Sequence, residues 1–110
     1  MKILERITRT LFRSNENDIT IEEAEKMMKE NKKIVLIDVR SHQEYQEYHL
    51  DGALSIPLSE LGTSIRKNVP NRENPIIVYC QTGNRSKKAI RVLNNLCYYN
   101  LYNIIGGLDQ

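Results

Sequence analysis

The sequence has few of the residues that mark a non-globular chain. Its 110 residues include only 5 Gly and 3 Pro, and 40% of them are hydrophobic, a composition that suggests neither a fibrous repeat nor disorder. No internal repeat is visible, and no apolar run approaches the length of a membrane-spanning helix. We predict one globular domain without an integral membrane segment, too small to enclose a large cavity.

Cysteine is also scarce. Cys80 and Cys97 stand 17 residues apart, which matches neither a disulfide framework nor the paired spacing of a metal or redox site. We therefore predict a reducing, cytoplasmic setting and no bound metal. Each cysteine needs its own explanation.

Basic residues outnumber acidic residues only at the start of the chain. The net charge of +2 is too small to predict nucleic acid as a partner. Residues 1–13 hold four basic residues against one acidic residue, and apolar residues recur among them at helical spacing. We interpret residues 1–17 as an amphipathic helix and linker that pack against a domain spanning 18–110. Docking on an anionic lipid surface or a partner is the alternative.

Strand and helix patterns alternate through the rest of the chain. Capping boxes at Thr20 to Glu23 and Ser41 to Glu44 predict two helix starts. Short apolar runs predict strands at 34–37, 53–56, 76–79 and 101–105, and helical spacing predicts helices at 21–30, 42–48, from 58, and 86–96. This alternation predicts an α/β fold with a parallel sheet, whose ligands bind at the carboxyl ends of the strands.

The loop that begins at Cys80 combines several features that favour a reactive sulfur. Gly83 permits a tight backbone turn, and Ser86 is predicted to cap the following helix. Backbone amides, the helix N-terminus and Arg85 would together favour negative charge at the sulfur and acidify the thiol. A buried filler cysteine is the simpler interpretation, but it does not require a glycine, an arginine and a helix start at this spacing.

In order along the chain, these motifs resemble the rhodanese family over residues 18 to 109. They are Ile34-Val35-Leu36-Ile37-Asp38-Val39-Arg40 with Glu44-Tyr45, His49-Leu50-Asp51-Gly52-Ala53 with Ile56-Pro57, Ile77-Val78-Tyr79 with the Cys80 loop, and Ile104-Ile105-Gly106-Gly107-Leu108.

The resemblance implies a rhodanese-like, mostly parallel five-stranded sheet with helices on both faces. It also implies a sulfurtransferase that needs no cofactor, in which Cys80 attacks a small anionic donor such as thiosulfate and carries a persulfide to a thiol or protein acceptor. The amides that would cradle the sulfur belong to Gln81, Thr82, Gly83, Asn84, Arg85 and Ser86.

Other residues of the resemblance are expected to support the site. Asp38, Arg40 and Glu44 are expected to form a structural polar network beside the loop. His49 is expected to organise a turn, because sulfur transfer to a thiolate needs little proton movement. Lys87 and Lys88 could attract anionic donors or simply be solvated.

The sequence departs from the family pattern at three places. Tyr48 and Cys97 occupy positions that are often glycine, which predicts a backbone cost if left-handed geometry is retained. The chain stops at Gln110, where the family continues with a tryptophan and a further element. We expect this to expose an apolar patch that the N-terminal helix or another chain fills.

Two other functions remain open at this point. A rhodanese-fold sulfur carrier or interaction module with little turnover would use the same cysteine. A phosphatase would use a similar cradle, but the four residues between Cys80 and Arg85 are one fewer than in the phosphatase signature. The tighter ring of amides favours sulfur over a phosphoryl group.

Overall fold

The structure is a computed structural model that describes residues 17–110. None of the helices in this range combines the length and the apolar character needed to cross a membrane. The elements in chain order are β1 (Asp18–Ile19), α1 (Ile21–Glu30), β2 (Val35–Asp38), α2 (His42–Glu47), β3 (Leu54–Ser55), α3 (Leu58–Asn68), β4 (Ile76–Tyr79), α4 (Asn84–Asn95), β5 (Leu101–Ile104) and a 3-10 turn (Gly107–Asp109).

The five strands form one parallel sheet in the order β1-β5-β4-β2-β3. The prediction of an α/β fold with a five-stranded sheet is therefore confirmed. Asp38 lies beside Ser55 on one side and Tyr79 on the other, so the carboxyl ends of three neighbouring strands are level. Residues that follow β2, β3 and β4 consequently meet at one edge of the sheet.

The central strand β4 separates two apolar cores. Ile76 and Val78 belong to the core that α3 and α4 cover, whereas Ile77 and Tyr79 belong to the core on the α1 side. All four side chains are fully buried. Because successive strand residues point to opposite faces, a continuous apolar run is what a doubly covered strand requires.

Both predicted capping boxes are present. The Thr20 hydroxyl accepts from the Glu23 amide at 3.1 Å, and the Glu23 carboxylate accepts from the Thr20 amide at 2.9 Å. Ser41 and Glu44 make the same reciprocal pair at 3.1 and 3.0 Å. Each pair satisfies two amides that a helix N-terminus leaves without intrahelical partners, which explains why α1 and α2 begin where they do.

One strand was not predicted, and one predicted helix start was wrong. Asp18 and Ile19, the first residues of the predicted domain, form β1, in which Asp18 is buried and pairs with Asn103 in β5. Helix α4 begins at Asn84, two residues before the predicted start, so Ser86 lies inside the first turn and Gly83 occupies the N-cap position. The amphipathic helix predicted at the start of the chain lies outside the described residues, and its docking stays a prediction.

The two positions that often hold glycine behave differently. Tyr48 has φ −167° and ψ 144°, which is extended backbone without strain, so the predicted cost is wrong for this residue. Cys97, which is exposed, has φ 69° and lies in the left-handed region, as predicted. A side chain in this region costs about 1 to 2 kcal/mol, a cost that glycine lacks.

We expect Cys97→Gly to raise the free energy of unfolding by about 0.5 to 1 kcal/mol, because relief of the left-handed strain exceeds the greater chain entropy that glycine gives the unfolded state. Urea denaturation would measure the change. Tyr48→Gly is the matched comparison, and at its extended backbone the same replacement is expected to destabilise. Equal effects from the two replacements would contradict the strain assigned to Cys97.

Candidate functional site

The Cys80 loop lies at the carboxyl end of β4, in the centre of the sheet. The Cys80 sulfur is fully buried and accepts hydrogen bonds from the backbone amides of Gly83 at 3.0 Å and Ser86 at 3.3 Å. The Ser86 hydroxyl oxygen lies 3.6 Å from the sulfur and 3.1 Å from the Gly83 carbonyl oxygen, and its one proton can rotate to donate to either of them, to the sulfur when Cys80 is a thiolate. Gly83 adopts φ 102°, a conformation that brings its amide round toward the sulfur.

These contacts lower the pKa of the Cys80 thiol. Burial alone would raise it, but hydrogen bonds from the Ser86 hydroxyl and from the amides of Ser86, Gly83 and Thr82 outweigh the burial. Sulfur held as a thiolate is a far stronger nucleophile than the thiol. The loop therefore holds an activated sulfur among donors that also suit an anion.

We expect Ser86→Ala to shift the reactivity of Cys80 to higher pH, because the Ser86 hydroxyl, 3.6 Å from the sulfur, favours the thiolate. The rate of alkylation by a small reagent falls as the pH drops through the thiol pKa, so the midpoint of the profile reports that pKa. Thr63→Ala is the control, since Thr63 makes the same hydroxyl bond to the carbonyl three residues earlier, 3.1 Å long, elsewhere in the chain. An unshifted midpoint in Ser86→Ala would contradict the assigned role.

A turn at the C-terminal end of the described chain braces the loop. The amides of Leu108 and Asp109 donate to the carbonyls of Cys80 and Gln81 at 3.0 and 2.9 Å. Gly107 packs so closely that a Cβ atom there would lie 2.3 Å from the Cys80 carbonyl oxygen. Gly107 belongs to one of the motifs that resemble the family, but nothing in the sequence predicts this contact.

Two side chains at the end of β2 are linked to the loop, since Asp38 holds Arg40 and Arg40 contacts Gln81. Arg40 donates to both carboxylate oxygens of Asp38, at 2.8 to 3.2 Å, and to the Gln81 side chain at 3.2 Å. The side-chain amide of Gln81 in turn donates to the Asp109 carboxylate at 2.6 Å. Burial would lower the pKa of Arg40, but the hydrogen bond and the charge of Asp38 raise it, so the guanidinium stays charged.

The guanidinium of Arg85 is paired with a carboxylate of α2. It forms a bidentate pair with Glu44, at 2.7 and 3.0 Å, across 41 residues of sequence. The hydrogen bonds from Arg85, with those from Ser41, lower the pKa of Glu44 to about 2. After the hydrogen bond to Glu44, the charge of Cys80 also raises the pKa of Arg85, so the sulfur and the guanidinium attract. The hydrogen bonds from Ser86, Gly83 and Thr82 are nevertheless the main contacts that lower the pKa of the thiol.

The remaining predicted residues lie outside this cradle. His49 Nδ1 lies 2.8 Å from the Tyr45 carbonyl, and its ring stacks on Tyr45 with 3.7 Å between ring centroids. Lys87 and Lys88 are exposed in the first turn of α4. Cys97 follows the far end of α4, and the 12 residues of that helix span roughly 18 Å.

Known proteins that are similar to this chain include a sulfurtransferase. A family model described as a rhodanese-like domain matches residues 20–110. Thiosulfate sulfurtransferase PspE of Escherichia coli (strain K12) is 39% identical over 74 residues, which make up 67% of this chain and 70% of that protein. A solved rhodanese with anions from E. coli superposes with a TM-score of 0.65 at 35% identity, over 70% of this chain and 91% of the other.

A third relative is named as a carrier. The putative sulfur carrier protein YrkF of Bacillus subtilis (strain 168) is 28% identical, and the match covers 83% of this chain but only 48% of YrkF. The family model covers most of the described residues, including the whole Cys80 loop and the turn that braces it. The chain therefore belongs to the rhodanese-like domain family and has the α/β fold of that family, with a parallel five-stranded sheet at its centre.

Proposed function

We propose that this protein is a sulfurtransferase that carries sulfur as a persulfide on Cys80. The observation that supports this most is the buried Cys80 sulfur, which accepts hydrogen bonds from Gly83 and Ser86 and has a lowered pKa. A thiolate held in this way is poised to attack sulfur, and the similarity to PspE points to thiosulfate as a donor.

The reaction proceeds in two steps. The Cys80 thiolate forms a bond to the outer sulfur of thiosulfate while the bond between the two thiosulfate sulfurs breaks, and sulfite leaves with the electron pair. An acceptor thiolate then attacks the outer sulfur of the persulfide, and Cys80 leaves as the thiolate. The two half-reactions predict ping-pong kinetics.

The surrounding residues have distinct parts in this proposal. Amides of the loop from Gln81 to Ser86 stabilise the sulfur, and Gly83 and Ser86 already donate to it. Asp38, Arg40 and Glu44 position the loop without touching the sulfur, through Gln81 and Arg85. A reducing compartment such as the cytoplasm would keep the Cys80 thiol free for loading.

Intact mass after incubation with thiosulfate tests the proposal. We expect the protein to become one sulfur atom heavier and to return to its original mass when a thiol acceptor is added. Peptide mapping is expected to place the added sulfur on Cys80. An unchanged mass with thiosulfate and with a persulfide donor would count decisively against the proposal.

The similarity to YrkF favours one second candidate, a sulfur carrier with little turnover. The same persulfide would form on Cys80, but free thiols would discharge it slowly and a partner protein would discharge it fast. The rate of mass loss with a small thiol separates the two functions. Rapid discharge supports the enzyme, whereas a persistent adduct supports the carrier.

A further inference from the structure

The charged side chains around the Cys80 loop neutralise one another. Arg40 is paired with buried Asp38, and Arg85 is paired with Glu44. Asp109 adds a carboxylate that contacts the loop through Gln81. Among these five side chains, therefore, no cation is left over to attract an anion, and the sum of their charges is negative.

A second hydrogen bond holds the Glu44 carboxylate in its position beside Arg85. Its Oε1 atom accepts from Arg85 and also from the Ser41 amide at 3.0 Å, so the capping box of α2 and the ion pair share one oxygen. The carboxylate cannot turn away from Arg85 without opening the helix N-terminus. This arrangement makes the neutralisation of Arg85 a built-in feature of the fold.

We propose that Glu44 is a specificity-determining residue that biases the Cys80 loop toward persulfide donors, which are monoanions, and away from the thiosulfate dianion. This inference rests on the proposed sulfurtransferase function and names the donor class of that site. With either donor, Cys80 forms a bond to the outer sulfur, and sulfite or a thiolate leaves.

The preference for a monoanionic donor follows from the repulsion between the donor's charge and the Cys80 thiolate. The Cys80 thiolate is itself negative, so a dianion is repelled more strongly than a monoanion unless a cation compensates. Arg85 is one such cation, because it precedes Ser86, whose amide donates to the sulfur. The hydrogen bond to Glu44 and the charge of Cys80 both raise the pKa of Arg85. The negative charge of Glu44 offsets the positive charge of Arg85, so Arg85 compensates little of the repulsion between Cys80 and a dianion. The exposed lysines after the loop are screened by water and salt and discriminate weakly.

The test compares kcat/KM for thiosulfate with kcat/KM for a small alkyl persulfide. Glu44→Gln keeps a side chain that can complete the capping box but removes the negative charge. We expect it to raise the thiosulfate-to-persulfide ratio by about tenfold and to make thiosulfate turnover fall more steeply with added salt. Arg85→Gln leaves Glu44 unpaired and is expected to lower the ratio.

Glu47→Gln is the matched control, because Glu47 is an exposed acidic residue on the same helix and the charge change is identical. It is expected to leave the ratio unchanged. A merely structural role for Glu44 would depress both donors equally in both variants, and an unchanged or lowered ratio in Glu44→Gln would overturn the inference. If neither donor adds sulfur to the wild type, the proposed function fails instead.

Discussion

Cys80→Ser is expected to abolish sulfur loading and to reduce turnover by a factor on the order of a thousand or more. Serine has nearly the same shape, so the Gly83 and Ser86 amides can still donate to its oxygen and the loop keeps its conformation. Its hydroxyl, however, does not ionise in the accessible pH range and forms no persulfide. Intact mass and a coupled sulfite assay measure the two losses separately.

Cys97→Ser is the control for this experiment. Cys97 is exposed beyond the far end of α4, so its replacement is expected to leave loading and turnover unchanged. Circular dichroism of both variants checks that the fold survives. Persistent loading of Cys80→Ser together with a loss in Cys97→Ser would assign the chemistry to the wrong cysteine and overturn the proposed site.

Gly107→Ala is expected to have the second largest effect. The new methyl group would lie 2.3 Å from the Cys80 carbonyl oxygen and 2.7 Å from the Gln81 carbonyl, closer than real side chains approach backbone. The turn must therefore move and lose its hydrogen bonds to both carbonyls. With the left-handed φ of 60°, we expect a loss of about 3 kcal/mol in unfolding free energy.

Gly52→Ala separates crowding from backbone strain. Gly52 also has a positive φ, 83°, but a Cβ atom there would meet nothing within 4 Å. We expect it to cost only about 1 to 2 kcal/mol and to leave the alkylation profile of Cys80 unchanged, whereas Gly107→Ala should alter that profile. Similar losses and profiles in the two variants would show that the turn does not brace the loop.

Local sequence patterns were sufficient to predict most of the fold. Ser41 and Glu44 define a helix start because both members of a capping box lie within one turn of chain. The run at 76–79 indicates a doubly buried strand because three aliphatic residues are followed by a tyrosine, whose hydroxyl accepts from the Leu50 amide. The resemblance to a known family supplied the number of strands, which these local patterns did not give.

Contacts between distant residues could not be predicted in the same way. Glu44 was recognised as a capping residue, but its pairing with Arg85 depends on how α2 and α4 meet across the sheet edge. The two-residue strand β1 has too little pattern to recognise, and it forms only because β5 offers a free edge to Asp18 and Ile19. The tight approach of Gly107 to Cys80 likewise follows from the folded chain alone.

The length of α4 has a consequence for how sulfur leaves the molecule. Cys80 and Cys97 are the only cysteines of the chain, and a helix of roughly 18 Å separates them, whereas a disulfide requires Cα atoms within about 7 Å. Cys97 therefore cannot discharge a persulfide on Cys80. In the proposed reaction, the lifetime of the loaded state is set by how often an acceptor thiol other than Cys97 reaches it.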